Sequence, residues 1–157
     1  MQLRYIEGGV SAGHTDLLAI AVAKGTQTLE GELGRIDEAL DGALRKVLAT
    51  GDITGRLTDE VLIYGSDRGP ARVLLLGIGP ASQVTREVIR RFAGRAVRVA
   101  ERLRLKQLTL SLDGLDNITD EDRAQAATEG VALAAWRFSE LMTPEEGDSP
   151  ANILAEI

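Results

Sequence analysis

The sequence contains no cysteine, a single histidine and few aromatic residues. Without cysteine the chain can form neither a disulfide scaffold, nor a thiolate metal site, nor a cysteine nucleophile. Because only two Phe, two Tyr and one Trp are present in 157 residues, the core has to be built from aliphatic side chains. A chain of this length can bury such a core without metals or disulfides. We therefore expect one domain over residues 1–157, in a reducing cytoplasm.

Long apolar runs and an excess of basic residues are also lacking. The longest early apolar run, Leu17 to Ala23, is too short to cross a bilayer. Acidic residues, Glu7 and Asp16, precede it where a secretory signal would carry positive charge. The 24 acidic and 18 basic side chains give a net charge of −6, which repels nucleic acid and anionic membranes unless basic residues gather on one face. We expect neither a membrane nor nucleic acid as a partner.

Apolar runs typical of buried strands alternate with stretches in which apolar residues recur every three or four positions, as in helices. The predicted strands cover residues 2–7, 16–23, 60–65, 72–79, 107–112 and 151–157. The predicted helices cover residues 36–51, 85–105 and 119–139. This order predicts the α/β class: a single three-layer domain whose mixed, mostly parallel sheet is flanked by helices, with the strand at 16–23 in its centre. Residues 143–150 form a linker-like stretch before the terminal strand.

The segment "RVLLLGIGPASQVTREVIRRF", residues 72–92, resembles the strand, glycine turn and helix that hold a nucleotide phosphate in many proteins. Gly77 and Gly79 match the first glycines of such a fingerprint, but Ser82 occupies the place of the third. Pro80 also removes a backbone N–H where a phosphate requires donors. We interpret the two glycines as a turn of the chain.

Three consecutive acids, Asp120, Glu121 and Asp122, form a candidate metal site. They follow Thr119, however, and a hydroxyl followed by acids is typical of a helix start. Consecutive residues point in different directions around a helix, so the three carboxylates do not converge on one ion. We favour the helix-capping interpretation.

His14 is the only histidine, and catalysis by it would require a partner nucleophile and an orienting acid. Ser11 and Asp16 are the nearest candidates. His14 lies in a glycine-containing turn between two predicted strands, so we interpret it as a solvated loop residue.

The predicted helix at 85–105 carries arginines at helical spacing on one flank: Arg91, Arg95, Arg98 and Arg102. Such a basic stripe could contact nucleic acid or an acidic partner. No aromatic residues alternate with it, and Glu87 and Glu101 lie in the same helix. A solvated or internally paired face is therefore favoured, and the four arginines remain a candidate partner surface.

The order of these elements closely resembles the N-terminal domain of the leucyl (cytosol) aminopeptidase family. The resemblance is carried by a strand that ends in Gly-x-Gly and leads into a Thr-started helix rich in Ala and Arg. It is also carried by a later Ala-rich helix that ends in Trp136-Arg137-Phe138, and it covers residues from about 17 to 144. The resemblance implies a macro-domain-like fold. Because the chain ends within the apolar run at 151–157, we expect it to be part of a longer protein.

The resemblance implies a role in the full-length enzymes, which are two-metal exopeptidases, commonly hexamers. Their zinc or manganese ligands and catalytic residues belong to a C-terminal domain, so no catalytic, cofactor-binding or metal residue is expected in this chain. The implied partners are its own catalytic domain and sister subunits, and the implied role is assembly or control of active-site access. Two alternatives stay open: a free-standing macro-like module for nucleotides or ADP-ribose, and a nucleic-acid-binding module using the Arg-rich helix.

Overall fold

The computed structural model describes residues 15–65, 69–115 and 117–136. Within these ranges strands and helices alternate along the chain. The strands are β1 (Leu17–Val22), β2 (Glu60–Tyr64), β3 (Arg72–Gly77) and β4 (Leu108–Ser111). The helices are α1 (Gly31–Ala39), α2 (Ala43–Thr50), α3 (Arg86–Arg102) and α4 (Asp120–Ala135), with a short 3₁₀ turn at Ala81–Gln83 before α3.

The described strands form one sheet in the order β2-β3-β1-β4. Strand β1 pairs in parallel with β3 and with β4, whereas β2 pairs antiparallel with β3. The central place of β1 explains its apolar sequence, because neighbouring strands cover its edges and helices cover both of its faces. The prediction of a mixed, mostly parallel sheet centred on this strand is confirmed.

Side chains of the sheet alternate between two separate cores. Leu17, Leu74 and Leu76 face α3 and α4 and pack with residues such as Phe92. On the other face Leu18, Ile20, Val73 and Leu75 pack with Ile36 and Leu44 of α1 and α2. Successive strand residues point to opposite faces, so one apolar run supplies both cores. The predicted three-layer α/β arrangement is therefore confirmed.

The prediction of a single helix over 36–51 is wrong, because the chain turns between α1 and α2. Asp41 and Gly42 adopt positive φ angles of 53° and 79°, which an α-helix does not accommodate. The buried Asp37 stabilises the break: its Oδ1 accepts a hydrogen bond of 3.0 Å from the amide of Arg45, in the first turn of α2. The Arg45 guanidinium lies 3.2 Å from the same carboxylate.

Helices α3 and α4 begin at threonine caps. Thr85 accepts a hydrogen bond from the amide of Val88, and Thr119 accepts one from the amide of Asp122. The interpretation of Thr119 and the acids after it as a helix start is therefore confirmed. The two helices cross closely at Gly130, where an added Cβ would lie 2.4 Å from the carbonyl oxygen of Arg90. No side chain larger than hydrogen fits there.

The described part of the chain contains no helix that is both long enough and apolar enough to span a membrane. Several predicted features lie outside the described residues. They are the strands at 2–7 and 151–157, the linker-like stretch at 143–150, the end of the helix predicted to reach 139, and His14.

Candidate functional site

A cavity of about 610 Å³ opens where the parallel strands β1, β3 and β4 end. The connection after β1 leads to α1 on one face of the sheet, whereas the connection after β3 leads to α3 on the opposite face. In open α/β sheets, ligands bind in the crevice that such diverging connections leave outside the carboxyl ends of the strands. The volume also lies within the range of small-molecule sites, roughly 300–1,000 Å³.

The lining of this cavity is mainly aliphatic, with a few polar side chains. Among its apolar residues are Ile20, Val22, Leu44, Leu48, Leu75 and Ile78. The polar side chains are Thr26, Thr28, Glu30 and Asp113, and none of the described lining residues is basic. Asp113 accepts a hydrogen bond of 3.4 Å from the hydroxyl of Ser111. The charge of the described lining is therefore negative.

In the glycine turn that begins at Gly77, the last residue of β3, the first amides are already paired within the chain. The backbone amides of its first three residues donate to carbonyl oxygens of neighbouring segments: Gly77 to Asp59 (3.0 Å), Ile78 to Val22 (3.0 Å) and Gly79 to Gly55 (2.8 Å). The next residue, Pro80, has no amide hydrogen. This geometry supports the interpretation of the glycines as a turn, because a phosphate-binding loop needs amides that are not already paired.

Both glycines are required by close packing or by backbone conformation. At Gly77 an added Cβ would lie 1.8 Å from the carbonyl oxygen of Arg56, so the segment from Thr54 to Asp59 lies directly against the end of β3. Gly79 has a φ angle of +79°, which favours glycine.

The segment from Thr54 to Asp59 is ordered by its own hydrogen bonds, a feature that the sequence analysis missed. The carboxylate of Asp59 accepts from the amide of Thr54 (2.7 Å), from its hydroxyl (2.9 Å) and from the amide of Arg56 (3.1 Å). These bonds, that from the Thr54 amide above all, lower the pKa of Asp59 below its ordinary value of 3.8. A carboxylate that follows a threonine in a polar turn was the available signal.

Arg95, one of the four predicted surface arginines, donates hydrogen bonds inward. Its Nη1 donates to the carbonyl oxygens of Leu57 (2.6 Å) and Gly77 (3.1 Å), and its Nη2 donates to that of Asp59 (2.7 Å). Its side chain is only 25% exposed. Arg95 therefore links the segment from Thr54 to Asp59 to the end of β3 through hydrogen bonds.

The other three arginines of the predicted flank are more exposed. Arg91 pairs with Glu87 at 2.8 Å on the same helix, and this hydrogen bond lowers the pKa of Glu87. Arg102 pairs with Glu60 of β2 at 3.1 Å, and Arg98 is exposed. The structure thus places all four arginines on one flank of α3. Arg91 and Arg102 pair with carboxylates, and Arg95 donates to backbone carbonyls and also lies 3.9 Å from the carboxylate of Glu60.

Two further arginines join α3 to α4. Arg86 pairs with Asp122, and Arg90 donates to Glu129 at 2.6 Å. The second bond raises the pKa of Arg90 and lowers the pKa of Glu129. Both ion pairs lie across the interface between α3 and α4, the two helices that approach closely at Gly130.

The acidic cluster at the start of α4 does not provide a metal-binding arrangement. Asp122 pairs with Arg86, Asp120 pairs with Arg123, and Thr119 caps the helix. Among the described residues, no group of three or more His, Cys, Asp or Glu side chains could hold a metal ion. These residues therefore do not fit the ligand set of a divalent metal.

Comparison with known proteins assigns this fold to a family. Residues 19–145 match the model of the cytosol aminopeptidase family, N-terminal domain. A probable cytosol aminopeptidase of Alkaliphilus oremlandii (strain OhILAs) is 29% identical over 147 residues, which cover 92% of this chain and 30% of the relative. A probable cytosol aminopeptidase of Thermosynechococcus vestitus is 34% identical over 137 residues, covering 85% of this chain and 27% of the relative.

Solved structures agree with this assignment at the level of fold. A mutant of tomato leucine aminopeptidase gives a TM-score of 0.72 at 20% identity, covering 93% of this chain and 30% of that chain. The bottromycin maturation enzyme BotP in complex with Mn gives 0.60 at 27% identity, with coverage of 91% and 26%. The macrodomain of Mycobacterium tuberculosis DarG gives 0.63 at 16% identity, covering 84% of this chain and 91% of that chain.

The fold is thus shared both with part of the aminopeptidases and with a whole macrodomain. The sequence match decides between them, since it covers most of this chain but only about 30% of the length of the curated relatives. The chain belongs to the cytosol aminopeptidase family, and it corresponds to the N-terminal domain of that family.

Proposed function

We propose that this chain is a non-catalytic domain that serves assembly or active-site access in a metal-dependent aminopeptidase, an enzyme that removes N-terminal amino acids from peptides. The observation that carries this proposal is the match of residues 19–145 to the N-terminal domain of the family. Relatives extend well beyond the matched region, which covers 30% of the first of them. The catalytic domain belongs to that further length.

The acidic residues of the described part support a non-catalytic role. A two-metal hydrolase needs carboxylates that converge on both ions, whereas the carboxylates of Asp120 and Asp122 pair with arginines. We assign the two divalent metals, zinc or manganese, to the catalytic domain. The manganese named with the related enzyme BotP agrees with this assignment.

The proposed partners are the catalytic domain of the same protein and sister subunits of a homohexamer in the cytoplasm. Leu133 and Trp136, at the end of α4, are 71% and 69% exposed. Large exposed apolar side chains favour a contact with another protein surface. Arg91, Arg98 and Arg102 offer a second surface, on the flank of α3 near β2. The names of the relatives support the cytoplasmic location.

The activity assignment is tested with leucine p-nitroanilide. The purified chain should release no p-nitroaniline with zinc or with manganese, and a protein that joins this chain to a catalytic domain of the family should release it. Metal-dependent hydrolysis by the chain alone would overturn the proposal.

The assembly assignment is tested by light scattering after size-exclusion chromatography. In the joined protein, Leu133→Asp should reduce the oligomer or its activity, since it places a charge in an apolar contact. Arg35→Glu, at an exposed position of α1 on the opposite face of the sheet, is the matched control. Equal behaviour of the two variants and the parent would remove α4 from the proposed interface.

Binding of ADP-ribose is the second candidate function, suggested by the macro-domain-like fold, which the DarG macrodomain shares at 16% identity. The cavity at the carboxyl edge of the sheet is the place where such a ligand would bind. Its described lining includes Glu30 and Asp113 and no basic residue, which disfavours a pyrophosphate. A calorimetric titration with ADP-ribose separates the candidates, and saturable micromolar binding would establish the second one.

Nucleic-acid binding through the flank of α3 is the remaining alternative. The net charge of −6 opposes it, and Arg95 donates its hydrogen bonds inward. We expect duplex DNA to bind only weakly at about 0.15 M salt. Affinity that depends on phosphate contacts falls with salt, since the slope of log K against log salt is roughly −0.9 for each neutralised phosphate. Sub-micromolar anisotropy binding that is lost when Arg91, Arg98 and Arg102 become Glu would establish this alternative.

A further inference from the structure

The cavity at the carboxyl edge of the sheet combines an aliphatic lining with an acidic border. We propose that it binds a small aliphatic cation, of the class of branched primary ammonium compounds, and that it excludes phosphate-bearing ligands. This inference does not rest on the proposed function of the parent enzyme, because the cavity is formed within the described part of the chain. A volume of about 610 Å³ is ample for a compound of that size.

The aliphatic part of such a ligand matches the floor of the cavity. Ile20 and Val22 of β1, Leu75 of β3 and Ile78 after it line the cavity from the sheet, and Leu44 and Leu48 line it from α2. Transfer of branched aliphatic groups from water to such surroundings lowers their free energy and requires no hydrogen bonds. Neither an aromatic side chain nor a basic one is present among the described lining residues to stack on or pair with a nucleotide.

The charge of the ligand follows from the two carboxylates of the lining. Glu30 directly precedes α1, and its side chain makes no capping hydrogen bond to that helix. Asp113 follows β4 and accepts from the Ser111 hydroxyl, which leaves further acceptor capacity on the carboxylate. Lys24, on the same loop as Thr26, is exposed and does not line the cavity. The net charge of −6 adds to the attraction of cations.

Three probes that differ in charge test the proposal on the purified chain. Amide chemical shifts are followed by NMR during titration with leucinamide, with 4-methylpentanoate and with ADP-ribose. Leucinamide should shift resonances of residues 20–31 and 113–115 in a saturable manner. The anion 4-methylpentanoate, of similar shape, should bind at least about fivefold more weakly, and ADP-ribose should not bind. Equal binding of the cation and the anion, or the absence of saturable leucinamide binding, would overturn the proposal.

Variants then locate the charge. Glu30→Gln and Asp113→Asn should each weaken leucinamide binding about two- to fivefold, the range expected for a solvent-accessible ion pair. Glu38→Gln and Asp41→Asn remove the same charges from exposed positions that do not line the cavity, and they should leave binding within about 1.5-fold.

A third variant tests the cavity independently of its charge. Thr28 is exposed at the edge of the cavity, so Thr28→Trp should block leucinamide without disturbing the core. Loss of binding in this variant, with an unchanged melting temperature, supports the site. Undiminished binding in Thr28→Trp, or in both Glu30→Gln and Asp113→Asn, would place the ligand elsewhere and refute the inference.

Discussion

Removing the guanidinium of Arg95 should destabilise the domain, although helical spacing places this residue on a surface flank. The variant Arg95→Met keeps most of the apolar stem and removes three hydrogen bonds, of 2.6, 3.1 and 2.7 Å, to backbone carbonyls. A hydrogen bond to a charged group contributes about 1.5–3 kcal/mol. The three bonds share one side chain that is 25% exposed, so they do not add fully, and we expect a loss of about 2–4 kcal/mol in the free energy of unfolding.

The matched control is Arg91→Met, on the same flank of α3. Arg91 is 67% exposed and pairs with Glu87 on the surface of the same helix, so its loss should amount to about 0–1 kcal/mol. Urea denaturation measures both variants. In thermal unfolding, each kcal/mol corresponds to a shift of about 2–4 °C for a chain of this size.

Hydrogen exchange identifies where the stability is lost. The amides of Gly77 and Gly79 donate to the carbonyls of Asp59 and Gly55, so release of that segment in Arg95→Met should accelerate their exchange more than exchange in α4. Equal losses of stability in the two variants, or unchanged exchange at both glycines, would refute the conclusion that the Arg95 hydrogen bonds stabilise the contact between the segment from Thr54 to Asp59 and β3.

Three further changes test the turn, the sheet and the ordered segment. Gly77→Ala should cost about 2 kcal/mol or more in urea denaturation, because its Cβ would lie 1.8 Å from the carbonyl oxygen of Arg56; an unchanged midpoint would contradict the close packing. Leu75→Asp should cost about 3–5 kcal/mol, since it places an unpaired charge in the centre of the sheet, whereas Leu133→Asp in the isolated chain should stay within about 0.5 kcal/mol because that position is exposed. The pKa of Asp59 is lowered on folding, so its contribution to stability is present above about pH 4 and is lost as the pH falls through the folded pKa. Asp59→Asn should therefore flatten the decline of stability in acid, and an identical acid profile would argue against the hydrogen bonds to this carboxylate.

The strands could be predicted from the sequence because their apolar runs have one physical explanation. The run that begins at Leu17 is apolar on both faces, and only a central strand covered on both sides buries every residue of such a run. Its neighbours β3 and β4 agree with the predicted strands to within two residues at each end. The helix starts at Thr85 and Thr119 could also be predicted, because capping is a local interaction that does not depend on the rest of the fold.

The break between α1 and α2 could not be predicted from helical periodicity. Ile36, Leu40 and Leu44 keep the spacing of one continuous apolar face, and all three pack into the same core. The break depends on the carboxylate of Asp37, which is buried and accepts from the amide of Arg45. A side chain that caps the following helix from the preceding one is a tertiary contact, and a pattern of apolar spacing carries no information about it.

The role of each arginine on the flank of α3 also depends on tertiary contacts. The spacing of Arg91, Arg95, Arg98 and Arg102 correctly assigns them to one side of α3, but spacing does not reveal what lies opposite. Carbonyl acceptors of the segment from Thr54 to Asp59 lie opposite Arg95, and the carboxylate of Glu60 lies opposite Arg102. These acceptors are more than 35 positions away along the chain. Only the folded structure therefore distinguishes an arginine that donates to backbone carbonyls from one that faces solvent.

The fold shared with macrodomains suggests a nucleotide ligand, whereas the side chains that line the cavity favour an aliphatic cation. A fold supplies a crevice at the ends of its parallel strands, whereas the side chains and amides there determine what binds. In this chain the amides of Gly77 to Gly79 donate to other backbone segments, and Glu30 and Asp113 line the crevice without a basic residue among the described lining. The amides at the end of β3 and the side chains of the described lining therefore provide no unpaired amide and no basic partner for a phosphate. The same crevice retains its aliphatic walls, and a cation with an aliphatic body therefore satisfies more of the site than a nucleotide does.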